Sequence, residues 1–257
     1  IIENNIYNLN SATGYTGVGT NSPAIGILQL STVAGHTITG NTVHSITNTH
    51  PTTATHVAGI FYNGATTGTN RIERNFVHSL ALSTNNTSST ITGVYVNSGL
   101  VSVANNMIRL GITPEGECNS GNYTIRGFYH IPKDANSNYY FNTVYIGGSV
   151  SSSSNNTYCI NRTAASGAIY LFNNIFYNTR SNVSGTGKHF AIGFTNMTGL
   201  ISDYNFFNTD GVGGNIGEEG TTVYSILPEW INATNNPDIN SSHGTLNFVN
   251  ATDEASK

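Results

Sequence analysis

The segment TGNTVHSI, Thr39 to Ile46, returns as ERNFVHSL, Glu73 to Leu80, with Asn41 and Asn75 standing 34 residues apart. The same frame runs through the chain, as IIENNIYNL at Asn4, VANNMIRL at Asn106, YFNTVYI at Asn142, LFNNIFY at Asn173 and SDYNFFN at Asn205. Successive steps of 37, 34, 31, 36, 31 and 32 residues mark stacked repeats, in which each unit covers the apolar face its neighbour cannot bury alone. An array of this kind grows along one axis, so 257 residues require no second core and a single domain is expected.

Two residues after each anchor come Ile6, Val43, Val77, Ile108, Val144, Ile175 and Phe207, and three before it Ile1, Ile38, Ile72, Val103, Tyr139, Tyr170 and Ser202. Both phases are expected to face a core. The anchor itself is expected to form a short turn between two strands, since Asn tolerates left-handed backbone better than other non-glycine residues. Stacked one above another, the amides of Asn41, Asn75, Asn106, Asn142 and Asn173 are expected to form a hydrogen-bonded ladder. A second phase lies half a repeat away at Gly26, Gly59, Gly93, Gly127, Cys159 and Gly193, followed by the apolar Ile27, Ile60, Val94, Phe128, Ile160 and Phe194. Each repeat therefore holds three short strands, and at ~3.3 Å per residue one repeat suits one turn of a triangular coil with loops. The segments of variable length, such as TNTHPTTATH and GITPEGECNSGNYT, follow the Asn strand and are read as loops on one corner.

Composition agrees with many strands and turns: 37 Asn, 28 Gly and 59 Ser plus Thr stand beside two Met and one Trp. Charged residues make up 9% and the formal net charge is −4, so a nucleic acid, whose affinity comes from phosphate neutralisation, is not an expected partner. No stretch is apolar enough for a membrane span, and no signal sequence is evident at the first residues. Because IIENN already lies within a repeat, the chain is expected to be part of a longer one, in which lateral or end-to-end assembly is open. Cys118 and Cys159 are read either as a disulfide or as two inert thiols.

The Asn turn between two strands resembles the right-handed, three-faced parallel β-helix of the pectin-lyase-like superfamily, over roughly residues 1 to 210. The tail, SDYNFFNTDG followed by TTVYSILPEWINAT, PDINSS and LNFVNATD, resembles the final turns of β-helix modules in large secreted bacterial surface proteins that use type IX secretion. The resemblance implies an all-β fold: a right-handed three-faced parallel β-helix solenoid of about seven coils over 1–215, with a C-terminal capping segment over 216–257. A short helix between Tyr224 and Trp230 is expected to cover the open end of the stack with Trp230 and Ile226.

Catalytic chemistry needs clustered carboxylates. The aspartates are Asp134, Asp203, Asp210, Asp238 and Asp253, and none pairs across repeats at one phase, although Asp203 and Asp210 share the last turn. His44 and His78 share a phase and are expected to form an exposed stack; with Tyr7, Arg109, Tyr145 and Phe176 as neighbours they lack a third metal ligand. Neither a metal nor a cofactor is expected. Residues two after the Gly phase include Phe61, Tyr95 and Tyr129, which by parity form an outward aromatic stripe, with Tyr62, His130 and Arg162 at the strand ends beside it. Flat aromatic faces among polar groups suit sugar rings. The expected function is a non-catalytic extracellular or cell-surface module, a stalk or adhesin with glycans or other surface proteins as partners. The alternative is a polysaccharide lyase or glycoside hydrolase whose site is incomplete here.

Overall fold

The computed structural model describes residues 1–131, 136–163, 167–233 and 237–248; Asp134 and Asp253 lie outside them. The chain winds as a parallel β-solenoid of about seven coils, whose strands stack into three sheets of eight, eight and six strands among the described residues. The first sheet carries the strands after the anchor, from Asn5–Ser11 through Thr42–Asn48, Phe76–Leu82, Met107–Leu110, Thr143–Ile146 and Ile175–Asn178 to Phe206–Asn208 and Ser242–His243. The second runs from Ala24–Gln29 to Gly214–Glu219 and gains one antiparallel strand, Thr222–Tyr224. The third runs from Thr37–Thr39 to Leu200–Asp203.

Register confirms that side chains one repeat apart sit over one another. Ile6, Val43, Val77, Ile108, Val144, Phe176 and Phe207 pair in one unbroken row, and Ile38, Ile72, Val103, Tyr139, Leu171 and Ser202 in another. With Ile27, Ile60, Val94, Phe128, Ile160 and Ile192 from the second sheet, these rows build one continuous apolar core along the axis. The expected row is corrected at two places. Cys159 is followed at its level by Ala191, not Gly193, so Gly193 pairs with Asn161 and Phe194 with Arg162. Phe176 and Leu171, not Ile175 and Tyr170, face inward. The small residues of the Gly phase sit where two coils approach closely: a Cβ on Gly93 would stand 2.7 Å from both the Gly127 oxygen and Ile108 Cγ2.

The ladder exists, with one member shifted. Asn41 gives its backbone N–H (3.0 Å) and its side-chain Nδ2 (2.9 Å) to Asn75 Oδ1. The pattern repeats from Asn75 to Asn106, Asn106 to Asn142, Asn142 to Asn174 and Asn174 to Asn205, and begins with Asn4 donating to Asn41. The second Nδ2 hydrogen reaches a carbonyl one coil back, as from Asn75 to Ile38 (3.0 Å) or Asn174 to Tyr139 (2.9 Å). Both donors and the acceptor of a buried amide are thus used, so burial leaves nothing unsatisfied. Asn173 is not a rung: its side chain is exposed and Asn174 occupies the buried place. The left-handed bend likewise falls one residue before the anchor, at Glu3, Gly40, Arg74, Asn105, Phe141, Asn173 and Tyr204, with φ between 55° and 67°. That displacement turns each anchor side chain inward, where it meets the next.

At the far end the ladder meets a different acceptor. Asn205 donates its backbone N–H to Ser241 Oγ (2.7 Å) and its Nδ2 to Asp238 Oδ1 (2.8 Å). Asp238 also accepts from Ser202, Ser241 and the Trp230 indole Nε1 (2.8 Å). Every neighbour donates, so a carboxylate, which only accepts, suits the place; burial nevertheless raises its pKa. Trp230, on the helix Leu227–Ile231, is fully buried against Gly217. Ile226 is exposed, contrary to expectation, because it stands at the N-cap, outside the turn that packs inward.

Asn174→Ala would orphan the Asn142 N–H and Nδ2 and the Tyr139 carbonyl, and is expected to cost ~3 kcal/mol or more, whereas Asn173→Ala should stay within ~0.5 kcal/mol. Equilibrium urea unfolding of the two variants measures the difference; equal losses would contradict the assignment of rungs.

Candidate functional site

On the outward face of the second sheet, parity places Leu28, Phe61, Tyr95, Tyr129 and Asn161 in one row. Ring centroids of Phe61 and Tyr95, and of Tyr95 and Tyr129, are each 4.8 Å apart, the strand spacing of the solenoid. The expected aromatic stripe is therefore real, but only part of it is open. Phe61 is 1% exposed, because the segment before the second strand crosses it and brings Gly19 against its ring. Gly19 adopts a φ of +61°, which a residue without Cβ takes at no steric cost.

Where that segment ends, a cleft of about 250 Å³ opens, bounded by Val18 and Ser22 on one side and by His56, Thr92, Tyr95, Arg126 and Tyr129 on the sheet. Arg126 is its distinguishing group. Its guanidinium lies 4.3 Å from the Tyr129 ring centroid, a cation–π arrangement, and Nε donates to Asn161 Oδ1 at 2.9 Å. Asn161 Nδ2 is in turn fixed by the Gly193 carbonyl at 3.0 Å. Burial lowers the pKa of Arg126, so the cation is held in poorly hydrated surroundings by neutral partners. The same burial, with Tyr129 adding to it, pushes Tyr95 up to about 12. His56, tied through Nδ1 to Thr90 Oγ1 (2.9 Å), is held below its usual range by burial and then by Arg126. Farther along this face Tyr158 donates to Glu218 Oε2 at 2.9 Å, and the burial of Glu218 raises its own carboxyl's pKa.

Tyr62, His130 and Arg162 do not share this surface. One residue past the outward row, they turn inward and are buried. His130 Nδ1 meets the core Tyr139 hydroxyl at 3.0 Å, and Arg162 donates to the Thr198 and Gly167 carbonyls, both at 2.7 Å. Their part is to close the corner toward the third sheet. His44 and His78 do stack, at 4.8 Å and 3°, yet they are buried rather than exposed. Tyr7 and Phe76 cover the ring faces, and the Ser45 and Ser79 hydroxyls meet their Nδ1 atoms. The two cysteines are free thiols, Cys118 exposed and Cys159 buried.

Arg126, His56 and Glu218 were not singled out by sequence. Arg126 stands in a row with Ile25, Ala58 and Thr92, His56 in one with Thr90 and Thr124, and Glu218 in one with Gly193, so no repetition marks them. Among the described residues no group of three or more His, Cys, Asp or Glu could hold a metal ion, and no helix is long and apolar enough to cross a membrane. The chain matches no family model, no curated protein and no solved structure.

Two buried histidines set a pH dependence. Burial, reinforced by Arg162, holds His130 down to about 3, and burial with Arg180 holds His189 down to about 4. In the unfolded chain both would take a proton near pH 6.5. Their contribution is thus complete above pH 6.5 and is lost as pH falls toward 4 and then 3. Unfolding free energy measured from pH 7 to 4 should decline, and His189→Gln should flatten the decline; a rise on acidification would contradict it.

Proposed function

We propose that this chain is a non-catalytic module of an extracellular or cell-surface protein, a right-handed pectin-lyase-like β-helix that serves as a stiff stalk and holds a glycan in the Tyr95–Arg126–Tyr129 cleft. One observation carries the reading: a cation that has no carboxylate partner among the described residues lies beside two part-exposed phenol rings on a rigid, outward sheet face. Ring faces stack on the C–H face of a sugar. The guanidinium favours a sugar that carries an acidic group.

Holding rather than cleaving is favoured because the described lining of the cleft contains no Asp or Glu, while general acid/base hydrolysis uses two. The described aspartates are engaged elsewhere: Asp203 by Asn240 and the Tyr204 N–H, Asp210 by the Asn208 amide and the Thr245 hydroxyl, Asp238 by its four donors. A second reading, polysaccharide lyase, rests on the His56 imidazole in the cleft lining, held below its usual range by burial and then by Arg126, since elimination requires one base rather than a carboxyl pair. A continuous apolar core through all coils supports the stalk.

Titration of the chain with uronic-acid oligosaccharides tests the cleft. Tyr129→Ala and Arg126→Ala are each expected to weaken binding about tenfold. Unchanged affinity in both variants would dismiss the site, and release of unsaturated sugar ends would replace the binding module by the lyase.

A further inference from the structure

A second aromatic surface lies on a different corner, between the third and first sheets. The left-handed position before the ladder is occupied in three successive coils by Phe141, Asn173 and Tyr204. Its two aromatic side chains are 58% and 57% exposed. Strand register stacks these positions directly, since Tyr140, Phe172 and Asp203 pair just before them. At ~4.8 Å per coil, Phe141 and Tyr204 stand ~10 Å apart, with the Asn173 amide midway. That amide makes no side-chain hydrogen bond among the described residues.

The flanks of the row extend it. Tyr140 and Phe172 pack at 6.0 Å on one side, and Met107, half exposed, begins the other. Beyond Asn173 a shallow depression of about 360 Å³ is lined by Ile175, Tyr204 and Phe206 together with Asn173, Asn240 and Ser242. None of its lining residues carries a charge. Asp203, next to Tyr204, spends its carboxylate on Asn240 and the Tyr204 N–H. The charged members of the same row lie away from it: Arg74, two coils before Phe141, is paired with Glu73 at 3.7 Å, and Glu3 stands four coils before Phe141.

Two exposed rings aligned on one row with a neutral amide between them suit the C–H faces of sugar rings. We infer that the Phe141–Asn173–Tyr204 corner is a second carbohydrate-binding surface, for an uncharged polysaccharide strand lying along the solenoid axis. Aromatic faces set a disaccharide's length apart accept alternate sugar rings, the Asn173 amide meets the hydroxyls between them, and Asn240, one coil past Tyr204, offers its Oδ1 to those beyond. The absence of charge among the lining residues separates it from the Arg126 cleft and selects neutral sugars. The left-handed backbone that the ladder imposes is what turns these side chains outward, so the surface is as rigid as the stack beneath it.

Native gel electrophoresis through hydroxyethylcellulose, glucomannan and a soluble β-1,3-glucan tests this, with polygalacturonate as the charged comparison. The chain is expected to be retarded in at least one neutral gel. The double variant Phe141→Ala/Tyr204→Ala should lose at least tenfold in apparent affinity there, with its mobility in polygalacturonate unchanged, whereas Arg126→Ala should leave neutral-gel retardation intact. Both aromatic side chains are exposed, and an unchanged thermal midpoint verifies that the double variant folds. No retardation in any neutral gel, or equal retardation of the double variant, would overturn the proposal. A double variant that instead loses only concentration-dependent association in sedimentation velocity would assign the ridge to a second copy of this chain, and would overturn it as well.

Discussion

The buried amide ladder is a directional interaction. Each rung gives two N–H groups to the Oδ1 of the next coil and sends a third hydrogen back one coil, so three coils are tied at each step. Unlike the apolar rows, which tolerate a slide, this bonding specifies which residue lies above which. It also has a polarity: donors point toward the C-terminal end, and the chain of donors stops on the Asp238 carboxylate and the Ser241 hydroxyl. An asparagine there would turn an amide N–H toward groups that themselves donate.

From that constraint the surfaces follow. For the anchor to face inward, the residue before it must take a left-handed conformation, and six of the seven residues there are not glycine. The strain, of order 1 kcal/mol for each, is outweighed by a bond set that leaves no buried amide valence open. The same geometry projects Phe141 and Tyr204 into solvent, while in the second sheet the break in alternation at the Gly phase, where Ile125 and Phe128 both face the core, leaves Arg126 and Tyr129 on the outward face beside Tyr95. Two faces of different character, one cationic and partly sheltered, one neutral and open, are thereby held at fixed positions along a single rod.

Much of this was legible in the sequence, because strand stacking converts a period of thirty-odd residues into vertical rows. The error at LFNNIFY has a physical origin. Tyr170, Leu171 and Phe172 before the doublet, and Ile175, Phe176 and Tyr177 after it, are all apolar, so inward and outward parity look alike and either asparagine fits. At HFAIGF the glycine drew the alignment, although Ala191 is small enough for the close approach that Gly93 and Gly127 make in earlier coils. The aromatic stripe was readable from parity alone, but the segment across Phe61 was not, since covering depends on a loop with no periodicity. Arg126 escaped because it occurs only once in its row. Repetition reveals scaffolding and is silent about single side chains.

Site-resolved hydrogen exchange of the ladder tests the central claim most directly. If the rungs tie the coils into one cooperative unit, the backbone amides of Asn75, Asn106, Asn142 and Asn174 exchange only through openings close to the global unfolding free energy, with nearly equal protection along the row. Protection at those four amides no greater than in the loop between Gly111 and Tyr123 would contradict the account.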